Sequence, residues 1–259
     1  MNVLNLKHVS TAPWGSTLLE DICVDLDGGE ILGIIGPNGA GKTSLLQTLA
    51  GDYATTAGSI RFLGEDIANW RGLNRAQSMA VLPQLSLLNF PYTIEEVIML
   101  GRTPHSTGAR ADRVIMDEVM RATDTKRLQG RVYTQLSGGE KQRVQLARVF
   151  AQIWPDTSSQ SRLLLLDEPT AALDLSHQQL MIHTLKELAN KGCAIVMVAH
   201  DFNLIAAVAD KILALKEGRQ MAYGGASEVL TKDIFARVFA VDVTVSTHPD
   251  TGRPLVISL

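Results

Sequence analysis

The sequence predicts an α/β domain whose core is accompanied by a small antiparallel β-subdomain and an inserted α-helical subdomain. Three observations lead to this prediction. Continuous apolar runs that end in Gly or Asp, such as EILGIIG (30–36) and LLLLD (163–167), are typical of buried parallel strands. Two N-terminal runs alternate apolar and polar residues, which indicates half-buried antiparallel strands. From about residue 85 to 155, the apolar residues recur at helical spacing instead.

The individual elements follow in order along the chain. LNLKHV (4–9) and ICVDLD (22–27) are the two alternating strands, and a helix over KTSLLQTLAG ends on Gly51. SIRFLG and MAVLP predict two short strands, and a capping box of Thr93 and Glu96 starts the helical region. Buried strands return in LLLLD, CAIVMVAH and KILALK, with a helix over HQQLMIHTLKELAN between the first two. The tail predicts two strands around a Pro/Gly turn.

Composition limits the class of protein. With 259 residues, of which 46% are hydrophobic and 20% charged, the chain can bury a sizeable core. A net charge of −3 argues against a protein that coats nucleic acid. No apolar run approaches the ~20 residues that span a bilayer, and MNVLNLKH lacks the features of a signal peptide. We therefore expect a soluble cytosolic protein. Cys23 and Cys193 each lie in an apolar run, so both are expected to be buried, reduced thiols.

A glycine-rich turn after the strand EILGIIG predicts a phosphate site. GPNGAGKT (36–43) fits G-x-x-x-x-G-K-[ST] between a buried strand and a helix, which is the context of a P-loop. Glycines let backbone N–H groups surround a phosphate, Lys42 supplies a charge for the β- and γ-phosphate oxygens, and Thr43 offers a hydroxyl to Mg²⁺. The core is therefore predicted to be a P-loop NTPase (RecA-like) fold that binds ATP and Mg²⁺. The predicted phosphate loop comprises Gly36, Pro37, Asn38, Gly39, Ala40, Gly41, Lys42, Thr43 and Ser44.

Two adjacent carboxylates follow the strand LLLLD. Asp167 ends that strand and is predicted to support Mg²⁺. Glu168 comes next, and Pro169 indicates that the strand has ended, which would turn Glu168 towards the reaction site. Glu168 is thus a candidate to accept a proton from the attacking water.

A second glycine turn occurs in LSGGEKQRVQLAR (136–148). Ser137 is a good N-cap, Gly138 and Gly139 follow it, and Val144, Ala147 and Ala151 continue at helical spacing. Exposed N–H groups at such a helix start bind anions. One chain therefore carries two anion-binding turns, of which only the first has its own lysine.

The ordered set GPNGAGKT, Gln84, LSGGE, LLLLDEPT, AALD and His200 resembles the nucleotide-binding subunit of ABC transporters over almost the whole chain. This resemblance implies that Gln84 senses Mg²⁺ and the attacking water, and that His200 holds the γ-phosphate. Asp174 would reach towards a partner subunit, and Trp14 would stack on adenine. The resemblance also implies a homodimer with ATP at its interface, in which Ser137, Gly138 and Gly139 contact the partner's ATP.

The same resemblance divides the chain and places it in a transporter. Residues 1–84 and 160–259 would form the catalytic core with the β-subdomain, and residues 85–159 the helical subdomain with LSGGE, all within one domain. One P-loop, one LSGGE and no membrane segment imply the separate ATPase of an importer. Such a subunit lies at the cytoplasmic face of the inner membrane as a peripheral protein. Its partners are two copies of a permease subunit and, indirectly, a periplasmic binding protein, with no nucleic acid.

The cargo is indicated by likeness alone. FPYTIEEVIMLGRTPH (90–105) resembles the ATPases of vitamin B12, iron–siderophore and haem importers. ARVFAQIWPDTSSQSR, AALDLSHQQ and the C-terminal VSTHPDTGRPLVISL resemble the haem (hemin) import ATPases. Residues 85–105 would transmit ATP hydrolysis to the permease. His105 and His177 are expected to be surface or interface residues, not haem ligands.

Three alternatives stay open from sequence. Iron–siderophore or vitamin B12 import would use the same machinery with a different cargo. A nucleic-acid-associated ABC ATPase is the alternative from another class, although the charge and the single-domain size disfavour it. A non-catalytic regulatory subunit is disfavoured because every catalytic position is filled.

Overall fold

The computed structural model describes residues 2–84, 88–155 and 161–258 and contains two compact units. The first unit comprises Met1–Trp70 and Ala194–Leu259, and the second comprises Arg71–Cys193. The predicted division into a catalytic core and a helical subdomain, with its limits at residues 85 and 159, stays a prediction. Both limits, the start of the predicted transmitting segment and most of DTSSQSR lie outside the described residues.

The elements alternate between strand and helix along most of the chain. Up to residue 84 they are β1 (Asn2–Thr11), β2 (Leu19–Asp27), β3 (Ile31–Ile35), α1 (Lys42–Ala50), β4 (Ala57–Phe62), β5 (Glu65–Asp66), α2 (Gly72–Ser78) and β6 (Met79–Leu82). Between residues 88 and 155 they are α3 (Ile94–Met99), α4 (Ala109–Ala122) and α5 (Gly138–Ile153). From residue 161 they are β7 (Leu163–Asp167), α6 (Leu175–Asn190), β8 (Ala194–Val198), α7 (Phe202–Val208), β9 (Lys211–Lys216), β10 (Arg219–Gly224), α8 (Ala226–Val229), α9 (Lys232–Phe239), β11 (Val243–Thr247) and β12 (Pro254–Ser258).

The first unit contains a mixed sheet with the strand order β5-β4-β1-β2-β10-β9-β3-β8. β1 pairs antiparallel with β2 and β4, which confirms the predicted alternating strands. β3 is fully buried and runs parallel to both β8 and β9, which confirms the buried parallel strand. β11 and β12 form a separate antiparallel pair, as the Pro/Gly turn predicts.

Close helix packing on β3 depends on a glycine in the middle of the strand. A Cβ on Gly33 would lie 2.6 Å from Cγ2 of Ile205 and 3.3 Å from Cβ of Ala209. Because Gly33 has no side chain, the end of α7 rests directly on the strand. A cluster of aromatic rings fixes the other side of α7, where Phe202 packs edge to face on Phe235 and Phe239 at centroid distances of 4.8 and 4.9 Å.

The second unit joins one parallel strand pair to several helices. β6 and β7 pair in parallel from Met79 opposite Leu163 to Leu82 opposite Leu166. The Thr93–Glu96 capping box is present at the start of α3, as predicted. Helical spacing of apolar residues predicts that Ile115, Val119 and Ala122 share one face of α4, and the first two are buried whereas Ala122 is only partly buried. α5 is the central helix, and its buried side chains include Val144, Ala147 and Ala151.

The two cysteines differ in environment. Cys193 is buried, and burial raises the pKa of its thiol to about 12, as expected of an unreactive core cysteine. Cys23 is only partly buried, so the expectation of a second core thiol is wrong. The reason is its place on β2, where the neighbouring residues alternate between the two faces of the sheet. Separately, within the described chain we find no helix of the length and apolarity that crossing a membrane requires.

Candidate functional site

The phosphate loop joins β3 to α1 in the first unit. Lys42 is 7% exposed, and its Nζ donates to the carbonyl oxygens of Gly36 at 2.8 Å and Pro37 at 3.0 Å. These bonds hold the ammonium group over the loop. Thr43 is exposed in the first turn of α1. That turn, all of it described, contains no acidic side chain, so the positive end of the helix is left to an anion.

Two glycines make the tight path of this loop possible. A Cβ at Gly36 would lie 2.4 Å from the carbonyl oxygen of Leu215. Gly41 has a φ of 96°, in the left-handed region, and a Cβ there would lie 3.3 Å from the carbonyl oxygen of Leu18. Only glycine fits such close backbone approaches without displacement. The loop can therefore present its N–H groups to a phosphate.

Two further predicted residues belong to the first unit. His200 is exposed and lies between the end of β8 and α7, whose N-cap Asp201 accepts hydrogen bonds from the N–H groups of Asn203 and Leu204. Because β3 and β8 are adjacent and parallel, the phosphate loop and His200 leave the same edge of the sheet. Trp14 lies in the loop between β1 and β2, is 71% exposed, and contacts Tyr53 edge to face at 5.4 Å. An exposed indole on this loop is available for stacking.

The predicted carboxylate pair lies at the end of β7 in the second unit. Asp167 is the last strand residue and is 3% exposed. Glu168 has a φ of 50°, in the left-handed region that non-glycine residues rarely adopt. This backbone change is the physical reason why two adjacent residues need not face opposite ways. Such strained residues cluster at active sites.

Gln84 follows the neighbouring strand of the same pair. It is exposed and lies two residues beyond the end of β6. Since β6 and β7 are parallel and Leu82 pairs with Leu166, Gln84 and Glu168 leave the same end of the two strands. The second unit therefore groups the amide and the two carboxylates that the sequence predicts for metal and water.

The second glycine turn starts helix α5. Ser137 is its N-cap and forms a capping box with Glu140: the Glu140 N–H donates to Ser137 Oγ at 3.3 Å, and the Ser137 N–H donates to Glu140 Oε2 at 2.9 Å. This backbone hydrogen bond, with help from Arg131, lowers the pKa of Glu140. The hydroxyl of Ser137 is exposed and keeps its own proton to donate. The Ser137 cap is predicted above; the reciprocal Glu140 is not, although S-x-x-E is the same capping-box pattern that predicts the Thr93–Glu96 pair.

Gly139 of this turn packs on the segment that follows the carboxylates. A Cβ on Gly139 would lie 2.8 Å from the carbonyl oxygen of Ala172. Gln142 Nε2 donates to the carbonyl oxygen of Pro169 at 3.0 Å. Sequence reasoning missed Gln142, since a polar residue on a helix gives no signal of its partner. A hydrogen bond thus joins the helix that follows the second glycine turn to Pro169, which follows the two carboxylates.

A cavity of about 250 Å³ lies beside this turn. Its lining includes Asp174 and His177 at the start of α6. Asp174 is the N-cap of α6, accepting from the His177 N–H at 3.0 Å and from Ser176 Oγ at 2.8 Å. These bonds, led by the one from the His177 backbone, lower the pKa of Asp174 to about 2. The cavity is lined by Arg127, Ser137, Gly139, Glu140, Arg143, Ala172, Leu173, Asp174 and His177.

The side chain of His177 is less exposed than that of a typical surface residue. Its side chain is only 17% exposed, with Nδ1 2.6 Å from Asp174 Oδ1 and Nε2 3.2 Å from Asp124 Oδ2. It also contacts the Arg143 guanidinium, whose pKa burial lowers. His177 is therefore not an exposed surface residue, because it connects α6 to α5 and to the end of α4, and its expected place at an interface stays a prediction. Its third position in α6, one turn from the cap, is the sequence signal that could have found it.

Each unit therefore brings together its own share of the predicted residues. The first groups the phosphate loop and His200 at one sheet edge and presents Trp14 on a neighbouring loop. The second groups Gln84, Asp167 and Glu168 at one strand end and brings Ser137, Gly139 and Asp174 together around the cavity, with Gly138 between Ser137 and Gly139 in the chain. The catalytic and binding roles of these side chains stay predictions.

Comparison with known proteins shows the family to which the chain belongs. The family described as "ABC transporter" matches residues 19–171. The "Hemin import ATP-binding protein HmuV" of Pseudomonas entomophila is 46% identical over 99% of this chain and 100% of the relative. The protein of the same name from Gloeobacter violaceus is 47% identical over 95% of this chain and 90% of its own.

A solved structure shares the fold as well. The structure of an "ATP binding subunit of ABC transporter" has a TM-score of 0.78 at 24% identity and covers 92% of this chain and 93% of its own. The predicted P-loop NTPase fold is thereby confirmed. On its sequence, its fold and its ordered motifs, this chain belongs to the ABC transporter family.

Proposed function

We propose that this chain is the ATP-hydrolysing subunit of a bacterial importer that takes up haem (hemin) through a separate membrane permease. The observation that carries the enzymatic part is Glu168, a carboxylate in the left-handed region directly after the buried Asp167. A chain with a phosphate loop after β3 and a candidate base after β7 has the parts that phosphoryl transfer to water needs.

The phosphate loop fits the triphosphate of ATP. Its glycines leave backbone N–H groups free of Cβ atoms, and the Lys42 ammonium is already held over the loop by two carbonyl oxygens. We assign the loop residues from Gly36 to Ser44 to phosphate binding, Lys42 to the β- and γ-phosphates, and Trp14 to adenine stacking. The exposure of Trp14 supports this last role.

The donor set also fits Mg²⁺, which prefers oxygen ligands. We assign the Thr43 hydroxyl, the Gln84 side chain and the Asp167 carboxylate to the ion or its waters. When bound, the ion would neutralise charge on the β- and γ-phosphate oxygens. Asp167 is buried at a strand end, so its carboxylate has little freedom to move away from that position.

Hydrolysis follows from the remaining side chains. Glu168 accepts a proton from the attacking water, and His200 holds the γ-phosphate and orients that water. The water oxygen bonds to the γ-phosphorus as the bond to the bridging oxygen breaks, which releases ADP and phosphate. The Gln84 side chain contacts Mg²⁺ and the attacking water and so senses whether both are bound.

The second glycine turn supports a homodimer with ATP at the interface. Ser137 presents its hydroxyl here. Gly138 and Gly139 present backbone N–H groups of the first turn of α5, a helix of 16 residues. We propose that they cover the γ-phosphate of ATP held by the partner subunit. ATP then binds the closed dimer better than the open one, and this difference in affinity drives closure. Asp174 lies beside this turn and reaches towards the partner.

Haem import rests on the relatives. Those named above are hemin import ATP-binding proteins, and they match the chain over nearly their full length. The proposal places the chain at the cytoplasmic face of the inner membrane, beside two permease subunits and, indirectly, a periplasmic binding protein. Iron–siderophore and vitamin B12 remain the alternative cargoes for the same role.

Reconstitution distinguishes these cargoes. The chain is assembled with the permease encoded beside it in proteoliposomes, and ATPase activity is measured with haem-loaded and B12-loaded binding proteins. We expect stimulation by the haem-loaded protein. Stimulation by the B12-loaded protein alone would reassign the cargo. Binding of the chain to nucleic acid at moderate salt, without binding to the permease, would overturn the transport role.

A further inference from the structure

Three potential metal ligands that have no role in the proposed ATP site converge on the adjacent strands β1 and β2. His8 Nδ1 lies 2.6 Å from Asp21 Oδ1 and 3.7 Å from Cys23 Sγ. One ligand atom from each of the three side chains lies within 4.8 Å of the others. Imidazole, carboxylate and thiol together are a donor set that borderline-soft divalent ions favour.

The backbone turns these side chains towards each other. His8 and Asp21 have φ values of 50° and 56°, both in the left-handed region that non-glycine residues rarely adopt. The strand register shifts between the pairs Leu6–Val24 and Val9–Ile22, which enclose His8. Such bulges redirect side chains and recur next to functional sites. Without the irregularity, the alternation of a regular strand would set the faces of these residues.

Neighbouring groups fix the trio in place. The Asp21 N–H donates to Ser10 Oγ at 3.1 Å, and the Cys23 N–H donates to Gln220 Oε1 at 2.9 Å. The His8 N–H donates to Cys23 Sγ at 3.3 Å, so the sulfur already receives a backbone hydrogen bond. Metal ligands typically have such outer partners, which orient them and support their charge. The His8 and Asp21 side chains are 78% and 69% exposed, so an ion can reach the site from solvent.

We propose that His8, Asp21 and Cys23 bind one Zn²⁺ ion, with water as the fourth ligand. Zn–N and Zn–S bonds at the tetrahedral angle place nitrogen and sulfur about 3.6 Å apart, close to the 3.7 Å between His8 Nδ1 and Cys23 Sγ. Nitrogen and oxygen ligands need about 3.3 Å, so the His8–Asp21 distance must widen. Both side chains are exposed and can rotate.

The protons balance in a simple way. In the metal-free form, a proton lies between His8 Nδ1 and Asp21 Oδ1. On binding, this proton moves through solvent to Nε2, so that neutral His8 gives Nδ1 to the metal, and the Cys23 thiol releases its own proton to solvent. The bound ion would then connect β1 to β2 at the base of the loop that carries Trp14. This site does not depend on the proposed transport function.

Cobalt reports thiolate ligation directly. The full-length chain, freed of any affinity tag and stripped of metal with a chelator, is titrated with Co²⁺ and monitored for the sulfur-to-cobalt charge-transfer band in the near ultraviolet. We expect a band that saturates at one ion per chain and is displaced by Zn²⁺. Cys23→Ser should abolish it. Cys193→Ala is the matched control, since the other cysteine is buried, and it should leave the band unchanged.

Two exposed-site variants complete the test. His8→Asn and Asp21→Asn keep a residue type that tolerates the left-handed backbone, and each should weaken Co²⁺ binding at least tenfold. Zn²⁺ should raise the unfolding temperature of the native chain and not that of these variants. The absence of a band, a band that survives Cys23→Ser, or unchanged affinity in either Asn variant would overturn the site. Neither Asn substitution removes a buried side chain, so the test survives a folding failure of Cys23→Ser.

Discussion

The Gln142 side chain on α5 donates a hydrogen bond to the carbonyl oxygen of Pro169 at 3.0 Å. Pro169 directly follows Glu168, the proposed base, and α5 starts with Ser137, the proposed contact to the partner's ATP. One bond therefore connects α5, near its start, to the residue that follows the proposed base in the same subunit. This connection gives each subunit a route by which contact with the partner's nucleotide influences its own hydrolysis.

Removing that bond should impair hydrolysis more than nucleotide binding. We expect Gln142→Ala to lower kcat several-fold with little change in ATP affinity, because the phosphate loop is untouched. The free energy of unfolding should fall by about 1 kcal/mol, the value of a typical hydrogen bond. Steady-state ATPase kinetics and nucleotide titration check this. Gln142→Glu, which keeps the size but replaces the donor, should behave in the same way, and a normal kcat in both variants would show that the bond has no functional role.

The trans role of the second glycine turn can be tested by mixing two inactive subunits. Ser137→Arg should abolish hydrolysis while ATP binding to the isolated subunit persists. Lys42→Ala should lose phosphate binding in its own loop. A mixture of the two forms heterodimers with one complete site, so ATPase activity should rise above that of either variant alone. Normal hydrolysis by the Ser137→Arg subunit by itself would show that the turn does not act on the partner's ATP.

The lowered pKa of Asp174 predicts how the stability of the folded chain depends on pH. The hydrogen bond from the His177 N–H, with those from the Ser176 and His177 side chains, lowers the pKa of Asp174 from its usual 3.8 to about 2, so its ionised form stabilises the folded chain above pH 4. This contribution is lost as the pH falls from about 4 towards 2. Asp174→Asn keeps the helix cap but cannot ionise. Denaturant unfolding should show a stability deficit of the variant at neutral pH that shrinks towards pH 2, whereas a constant deficit would contradict this role of the charge.

The C-terminus of α9 offers a simple stability test away from the site. Ala240 ends this helix with a φ of 56°, in the left-handed region, and is exposed. Glycine adopts this conformation without cost, so Ala240→Gly should raise the free energy of unfolding by about 0.5–1 kcal/mol.

Ala236 provides the matched control for that substitution. It is an exposed residue inside α9, so Ala236→Gly should lower the free energy of unfolding by about 1 kcal/mol. Opposite signs at the two positions are expected in thermal and denaturant unfolding. A loss of stability at both positions would contradict the backbone argument.

Much of the fold follows from short sequence patterns. The strands β3, β7 and β8 are continuous or nearly continuous apolar runs in sequence, and every residue of all three is buried. Gly51 in the left-handed region and the Thr93 capping box appear where the sequence places them. Local chemistry determines these features, so no knowledge of distant contacts is needed.

The connections within the site could not be predicted in this way. The bond between Gln142 and Pro169 and the contacts of His177 with Asp124 and Arg143 join residues that are far apart in the chain. The trio of His8, Asp21 and Cys23 depends on irregular strand backbone, whereas sequence alternation assumes a regular strand. Because these features arise from register and tertiary packing, composition and periodicity carry no signal of them.

The proposed base is the central element of the function, and Glu168→Gln tests it most directly. The variant keeps the shape of the side chain but cannot accept the proton, so ATP hydrolysis should fall by roughly 10²–10⁴-fold. ATP binding should persist, and light scattering with Mg-ATP should detect a stable dimer that the native chain forms only transiently. Undiminished ATP turnover in Glu168→Gln would contradict the assignment of Glu168 as the general base.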